Sequence, residues 1–400
     1  MRFYLFISVL IVLVFFGCKT KNNNINNLSF DLQTMQATKY QIAAKEESAL
    51  EDFNQLVERA DKALLSGLFS VMDKKGIPDS GDKHDYLSVA PYWWPNPETS
   101  DGLPWIRKDG EVNPATRSDY SDFRRMRECF GAINVLSRAF FYSENEKYAE
   151  KAVQLIDTWF INPDTRMNPN HNHAQAVPGS SSGRPAGTVE MGGISGVITS
   201  VELLKNGNAL PTDLEEGFKS WLSDYLLWYE NSDIGYRSIN DLHNNIGSMC
   251  DVQRIRYLVY LDRITEVKEI LIDARQKRII KQIEPDGRMP AELQRTKAWT
   301  YSAKNLRHLT SLASFGKKYG VDLWNFESQD GRSIKKAYEF LASYLVEDKT
   351  WEYQQLRGVE RYKNNFANQL LNAGIEFNED SFISTATKFL ESTDNSNDGS

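Results

Sequence analysis

The chain has 400 residues, enough for one large domain or two ordinary ones with a substantial hydrophobic core. Its formal net charge of -7 and pI near 5.5 argue against a nucleic-acid-binding protein, which needs a basic face, so an anionic ligand would require positive charge confined to a cleft. Aromatic residues make up 12% of the chain, which suits either an aromatic core or contacts with the flat faces of sugar rings.

The chain begins with a segment typical of export signals. Met1-Arg2 is followed by an apolar run over 3–16 and then by Gly17-Cys18, and this run is too short for a membrane-spanning helix. The position of Cys18 predicts a bacterial lipoprotein signal over 1–18, with plain secretion as the alternative. We therefore expect an exported protein, periplasmic or anchored to the outer membrane, whose membrane contact is limited to a lipid on Cys18.

The rest of the chain divides into a tether, a helical body and a tail. Residues 19–42 are polar and rich in Asn, which predicts a flexible tether, and 392–400 consist of polar and small residues, which predicts a disordered tail. Between them, 43–391 carry apolar residues at three- and four-residue spacing with few alternating runs, so the fold class is all-α. Cys129 and Cys250 fall in helical sequence and are expected to be buried free thiols.

The periodicity predicts ten helices, and consecutive helices with short links favour antiparallel pairs. No repeat motif of fixed spacing appears, so a closed or horseshoe-shaped array of helical hairpins is expected rather than a regular solenoid. Loops at 82–113, 162–184 and 284–299 interrupt the helices and are expected to carry function. The predicted helices span 43–72, 119–142, 146–160, 188–204, 211–230, 243–261, 264–282, 302–319, 333–346 and 359–373.

The first loop contains Pro91-Tyr92-Trp93-Trp94-Pro95, in which the prolines exclude a regular helix. An aromatic cluster in a loop of this kind has two interpretations. Tyr92, Trp93 and Trp94 would stack against sugar rings in a binding cleft, or they would form a hydrophobic plug that closes the helical array.

The second loop carries Asn, His and Gln side chains and ends near Arg184. His171 and His173 lie two residues apart without a nearby cluster of Cys or carboxylate, which is a weak metal signal, so neither a metal nor another cofactor is expected. Hydrogen bonding to sugar hydroxyls and to a carboxylate fits Asn172, His173, Gln175 and Arg184 better.

A third region supplies charged groups and a phenol. Arg288 and Glu292 follow a turn at 285–287 and are candidates for contacts with a substrate. Arg295 precedes Tyr301 by six residues, and an arginine beside a tyrosine would lower the pKa of the phenol by favouring the phenolate. The alternative is a surface Arg295 paired with Glu292, beside a half-buried Tyr301.

The segment Asp241-Leu242-His243-Asn244-Asn245-Ile246-Gly247 adds an imidazole and an amide pair. Combined with Arg295 and Tyr301, these groups suit the removal of a proton next to a carboxylate. Amide and guanidinium groups offset the carboxylate charge, and a phenol serves as the acid and sometimes also as the base. A uronic acid sugar, which loses its C5 proton and its C4 oxygen in a β-elimination, fits this set of groups.

From about Lys83 to Tyr338 the chain resembles the alginate lyase-like polysaccharide lyases with an α/α-toroid fold. The resemblance implies an incomplete (α/α) toroid built from antiparallel helical hairpins, with 43–391 as one catalytic domain. It also implies an enzyme that cuts a uronate polymer, such as alginate, polymannuronate or glucuronan, by β-elimination. The segments that carry the resemblance occur in order along the chain: 83–97, 167–179, 244–253, 283–288, 292–301 and 321–325.

The resemblance also implies roles for individual residues. Asn245 is similar to the amide that neutralises the substrate carboxylate, Arg295 to a charge partner there, and Tyr301 to the catalytic acid. The chain departs from the family pattern at Ile246, where a histidine is usual, which leaves the base open. In order of preference, Tyr301 is base as well as acid, His243 replaces the missing imidazole, or the chain has lost catalysis and retained glycan binding. His171 or His173 is an outside candidate for the base.

Two other classes of function compete with the lyase. A glycoside hydrolase on a similar helical toroid would need two carboxylates across the scissile bond, and Glu284, Asp286 and Glu292 would supply them. A non-catalytic glycan-binding lipoprotein at the cell surface is the second alternative. The expected partner of the lyase is an anionic polysaccharide, and no nucleic acid is expected.

Overall fold

The structure is a computed structural model that describes residues 31–346 and 349–397. The predicted export signal and Cys18 lie outside the described residues. Within those two ranges the chain forms fourteen α-helices and two small two-stranded sheets, which confirms the all-α class. None of the helices in the described parts of the chain combines the length and the apolar character needed to span a bilayer.

The secondary structure is as follows. The helices are α1 (Leu32–Ala43), α2 (Glu47–Leu64), α3 (Phe123–Ser143), α4 (Glu146–Ile156), α5 (Ile194–Asn206), α6 (Thr212–Asn231), α7 (Asp233–Asn240), α8 (Asn245–Tyr260), α9 (Ile264–Ala274), α10 (Pro290–Leu293), α11 (Ala298–Tyr319), α12 (Ile334–Ala342), α13 (Glu360–Phe377) and α14 (Asp380–Asn397). The strands are β1 (Leu87–Val89), β2 (Trp93–Trp94), β3 (Ile106–Arg107) and β4 (His173–Ala176). Short 3-10 segments span Val71–Asp73, Pro114–Arg117 and Pro185–Gly193, and π-helical turns span Asp157–Ile161 and Arg275–Ile280.

Helices that follow one another in the chain pack in pairs around a single large core. Helix α3 packs against α2, α4 and α5, α8 packs against α9 and α11, and α13 packs against α14. Polar residues cap several helix starts, where a side-chain oxygen accepts a hydrogen bond from a free backbone N–H group. Asn145 caps α4 in this way and Asn244 caps α8, while Gly320, with a φ of 80°, ends α11.

Both ends of the described chain are more helical than the sequence predicts. Residues 32–43 form α1 instead of a tether, because Asp31 caps its first turn and Leu32 packs against Phe141 and Leu203. Helix α14 runs to Asn397, into the segment predicted as a tail. A composition rich in polar residues therefore did not distinguish a surface helix from a disordered segment here.

Other differences concern helix boundaries and two helices that the sequence did not predict. The predicted helix 43–72 ends at Leu64, and α8 and α11 begin at Asn245 and Ala298 instead of at 243 and 302. Besides α1 and α14, the helices that the sequence did not predict are α7 and the short α10. The shifts at α8 and α11 matter for function, because both helices begin at the candidate site.

One small sheet joins the first two predicted loops, and the other lies within the first loop. Strand β1 pairs in parallel with β4, so that Leu87 lies opposite His173, and β2 pairs antiparallel with β3. The backbone N–H of Ala90 also donates to the carbonyl of Ala176 at 2.9 Å. The aromatic loop at 82–113 and the polar loop at 162–184 therefore form one wall of a cleft, which faces the starts of α8 and α11.

Candidate active site

A cavity of about 850 Å³ lies between these loops and the first turns of α3, α8 and α11. Its lining contains far more positive than negative charge, although the chain as a whole is acidic. The positive charge that an anionic ligand requires is therefore confined to the cleft. The charged lining residues are Arg107, Arg117, Arg127, Arg184, Arg295, Lys304 and Glu190.

Tyr301 lies in the first turn of α11 and presents its phenol to the cleft. Its hydroxyl is hydrogen-bonded to the Tyr92 hydroxyl at 2.7 Å, and the Arg295 guanidinium lies 4.3 Å from the centre of its ring. Burial and the Tyr92 hydrogen bond raise the pKa of Tyr301 well above its ordinary value, and the neighbouring Arg295 only partly opposes them. The sequence-based expectation of a lowered pKa is therefore wrong, because it left out burial.

Arg295 is held by Asp109 and not by Glu292. Its Nε and Nη2 donate to the two carboxylate oxygens of Asp109 at 3.1 and 2.7 Å, and the Thr296 backbone N–H and hydroxyl donate to the same carboxylate. Burial raises the pKa of Asp109, but the hydrogen bonds from Arg295 and Thr296 outweigh it and hold that pKa well below the usual range. Much of the charge of Arg295 is thus neutralised within the protein, and the alternative reading of a surface Arg295–Glu292 pair is wrong.

Asn245 is the first residue of α8 and lines the cleft, while Glu292 lies beneath it. The backbone N–H of Asn245 donates to Glu292 Oε1 at 2.5 Å, and its side-chain Nδ2 donates to Oε2 at 2.9 Å. Burial raises the pKa of Glu292 to about 7, against the opposing effect of both Asn245 hydrogen bonds. The Glu292 side chain has no exposed surface, so it holds Asn245 in place and does not contact a substrate.

His243 does not line the cleft, although its neighbours Leu242, Asn244, Asn245 and Ile246 do. The argument that 243 and 246 share a helix face fails, because Asn244 caps α8 and the helix begins only at Asn245. Burial lowers the pKa of the His243 imidazole, and the nearby Lys281 and Arg278 lower it further. The structure therefore does not bring His243 together with Tyr301.

The histidines of the second loop belong to the core and to its edge. His171 is fully buried, its Nδ1 is hydrogen-bonded to the Tyr225 hydroxyl at 3.0 Å, and burial lowers its pKa to about 3. His173 lies 3.7 Å from Asp85, and neither imidazole lines the cavity. Across residues 31–346 and 349–397, no three potential metal ligands come together.

Gln175 and Arg184, by contrast, do reach the cleft, where they form a network with Glu190. The Arg184 guanidinium donates to Gln175 Oε1 at 2.8 Å, and Gln175 Nε2 donates to Glu190 Oε1 at 3.3 Å. Glu190 also accepts hydrogen bonds from the hydroxyls of Tyr86 and Ser88, and burial raises its pKa. This network forms the polar floor of the cleft. The N–H groups of Arg184 that do not bind Gln175 are available for a ligand.

Similarity to known proteins identifies the kind of site. The family model described as alginate lyase matches residues 70–351, which is most of the chain. The crystal structure of an alginate lyase from Bacteroides ovatus matches with a TM-score of 0.84 and 33% sequence identity, over 90% of this chain and 94% of that one.

The chain belongs to the alginate lyase family. It is a polysaccharide lyase with an all-α toroid fold, as predicted. A variant of alginate lyase A1-III complexed with a tetrasaccharide shares the fold at 16% identity and a TM-score of 0.52, over 86% of each chain. The apo form of that variant matches with 15% identity and a TM-score of 0.51, over 87% of this chain and 86% of that one. No curated protein sequence matches the chain.

Several candidate substrate contacts of the lyase lie away from the cavity. Trp93 and Trp94 are half-buried in β2, where Trp94 Nε1 donates to the Glu111 carbonyl at 3.2 Å, and Tyr92 is the aromatic residue of this motif that lines the cleft. Asn172 accepts a hydrogen bond from Trp228, and Arg288 is tied to Asp286 at the surface. None of these other candidates is a lining residue, because the loops turn them towards the core or towards bulk solvent.

The sequence reading missed most of the cations in the cleft of the lyase. The guanidinium carbons of Arg117 and Arg127 lie 3.4 and 5.6 Å from the centre of the Phe123 ring. Arg107 lies on β3, opposite Trp93 of β2. Lys304 lies three residues after Tyr301 on α11. The spacing of Lys304 was a usable signal, whereas the arginines are brought to the cleft by tertiary folding alone.

Proposed function

We propose that this lyase cleaves a polymer of mannuronate or glucuronate by β-elimination, with Tyr301 as both base and acid. The observation that carries the proposal is the hydrogen-bonded Tyr301–Tyr92 pair in a cationic cleft whose described lining contains no histidine. A β-elimination needs a proton acceptor at C5, a proton donor at the C4 oxygen and positive charge near the carboxylate. A single phenol meets the first two needs when both groups leave from one side of the ring.

The reaction moves one proton from C5 to the departing oxygen through Tyr301. The Tyr301 phenolate takes the C5 proton, the C4=C5 double bond forms as the C4–O bond breaks, and the Tyr301 hydroxyl then returns the proton to the departing oxygen. The raised pKa of Tyr301 makes the phenolate a strong base once it forms. The Arg295 guanidinium over its ring favours that phenolate.

The charges of the cleft support an anionic polysaccharide as the partner. Six cationic side chains line a cavity in which Glu190 is the single carboxylate among the lining residues, and Glu190 is buried and hydrogen-bonded. A hydrolase would need two carboxylates facing each other across the bond. Glu284 and Asp286 lie outside the lining, and Glu292 is beneath Asn245, so this arrangement favours elimination over hydrolysis.

The test follows the ultraviolet absorbance of the unsaturated product during incubation with polymannuronate, polyguluronate and glucuronan. We expect absorbance from the first and the third, because their C5 proton and C4 oxygen leave from one side. New reducing ends without absorbance would contradict the proposal. Tyr301→Phe should abolish turnover and leave binding of polymannuronate intact.

A second variant tests the base. Ile246→His introduces an imidazole into the cleft wall beside Asn245. If proton removal by Tyr301 limits the rate, this variant should be faster than the wild type. An unchanged rate would indicate that proton removal is not the limiting step.

A further inference from the structure

Most cations of the cleft already have a partner within the protein. Arg295 and Arg107 both donate to Asp109, Arg184 donates to Gln175, and Arg117 lies 3.7 Å from Glu190. The charges of Arg295, Arg107 and Arg117 are therefore partly offset by carboxylates before a substrate arrives.

Lys304 and Arg127 differ from these cations. Within residues 31–346 and 349–397 neither side chain forms a hydrogen bond or a salt bridge, and both line the cavity. Arg127 belongs to α3 and lies near Phe123, whereas Lys304 belongs to the same helix as Tyr301.

The position of Lys304 on α11 places it next to the catalytic phenol. Residues three apart on a helix are neighbours on its surface, with Cβ atoms about 5–6 Å apart. Both Tyr301 and Lys304 line the cavity, so the two side chains contribute to the same wall of the cleft, one helical turn apart. Helix α11 packs against α8, whose first turn brings Asn245 and Ile246 to the same cavity.

The charged groups around Lys304 come from its own helix and from α10. Burial lowers the pKa of Lys304 and the nearby Arg307 lowers it further, while the Glu292 carboxylate opposes both. His308, one turn along the same helix, stays neutral because burial lowers its pKa to about 3. The carboxylate of a bound substrate would be the salt-bridge partner that the Lys304 ammonium group lacks within the described part of the protein.

We propose that Lys304 is the cation that offsets the substrate carboxylate at the ring whose C5 proton Tyr301 removes. This inference rests on the proposed function and adds a residue to it. When the C5–H bond breaks, negative charge spreads into the carboxylate, and an ammonium group beside it stabilises that charge. Asn245 contributes an amide dipole to the same carboxylate, and Lys304 contributes a full charge.

The kinetic test compares Lys304→Gln, Lys304→Arg and a matched control, Lys277→Gln, which removes the same charge from a surface pair with Asp273 outside the cleft. With polymannuronate, Lys304→Gln should lower kcat about 100- to 1000-fold, the usual effect of losing one group that stabilises an oxyanion. Lys304→Arg should keep most of the activity. The loss of activity on the alkaline side of the pH profile should move to higher pH, because arginine stays protonated. The control should match the wild type.

A binding test separates this inference from the proposed function. The Tyr301→Phe protein, with and without Lys304→Gln, is titrated calorimetrically with a mannuronate tetrasaccharide and with the same sugar after reduction of its carboxyl groups. Loss of Lys304 should weaken binding of the charged sugar and leave that of the reduced sugar unchanged.

Each result decides one of the two proposals or both. If the wild type cleaves polymannuronate and Lys304→Gln cleaves it equally well, the role of Lys304 is refuted and the function stands. If the wild type yields no unsaturated product, the function fails, and calorimetry alone decides whether Lys304 recognises the carboxylate. A wild type that neither cleaves nor binds the charged sugar overturns both.

Discussion

The substitution Glu292→Gln tests whether a buried carboxylate supports the cleft from below. Glu292 is inaccessible to solvent and accepts two hydrogen bonds from Asn245. Burial raises its pKa from 4.5 to about 7 in the folded protein. Because the folded state holds the proton more tightly, Glu292 contributes stability at low pH and loses that contribution as the pH rises towards and through 7.

The magnitude follows from the two pKa values. A difference of about 2.5 between them makes the contribution of this group to the free energy of unfolding fall by roughly 2.5 kcal/mol between pH 5 and pH 8. Glutamine has the same shape and does not titrate, so the variant lacks this loss. Relative to the wild type, Glu292→Gln should therefore be stabilised by roughly 2.5 kcal/mol more at pH 8 than at pH 5.

The assay is urea unfolding of both proteins at pH 5 and pH 8, followed by tryptophan fluorescence. Glu391→Gln, at an exposed position of α14, is the matched control for replacing a carboxylate by an amide. Comparison with the wild type cancels the contributions of other titrating groups. If the difference in unfolding free energy between Glu292→Gln and wild type is the same at both pH values, Glu292 does not titrate as its burial requires.

Four further substitutions are predicted to act on catalysis, stability or export. Tyr92→Phe removes a hydrogen bond that raises the pKa of Tyr301, so the rising limb of the pH–rate profile should move to lower pH, and an unmoved limb would argue against Tyr301 as the base. Arg295→Lys cannot form the forked pair or cover the ring, and kcat/KM on polymannuronate should fall roughly 100-fold, about 3 kcal/mol. Gly247→Ala would put a methyl group 1.8 Å from a backbone carbonyl oxygen and should cost about 3 kcal/mol or more, measured by urea unfolding. We propose export with a lipid on Cys18, so Cys18→Ala should abolish labelling by radioactive palmitate and release the protein from the membrane fraction.

The sequence predicted the fold class and three candidate residues that the structure brings together at the cleft, a phenol, a guanidinium and an amide. Apolar spacing is a local property, so the all-α class followed from it directly. Tyr301, Arg295 and Asn245 were found because their chemistry and their order along the chain resemble a known family. All of these features can be read from short stretches of sequence.

The errors have a common physical origin in helix starts and burial. Asn244 caps α8 and delays its start, which removes His243 from the helix face on which it was expected to substitute for an imidazole. Helix α11 begins at Ala298 and not at 302, so the sequence reading left Tyr301 and Lys304 off a shared helical face. Burial of Glu292 depends on the packing of α8 on the loop before α11, and no local pattern reports it.

The confinement of the cations to one cleft has a consequence for the encounter with a polymer. At about 0.01 M salt the Debye length is roughly 30 Å, so an approaching polyanion meets the repulsion of the whole acidic molecule. Near 0.15 M it shrinks to about 8 Å, and the polymer then responds mainly to the nearest charges, those of the cleft. Moderate salt should therefore increase the rate at which the protein associates with a polyanion, whereas higher salt also screens the attraction between the cleft and the polymer. The reaction rate at limiting substrate should pass through a maximum as ionic strength increases.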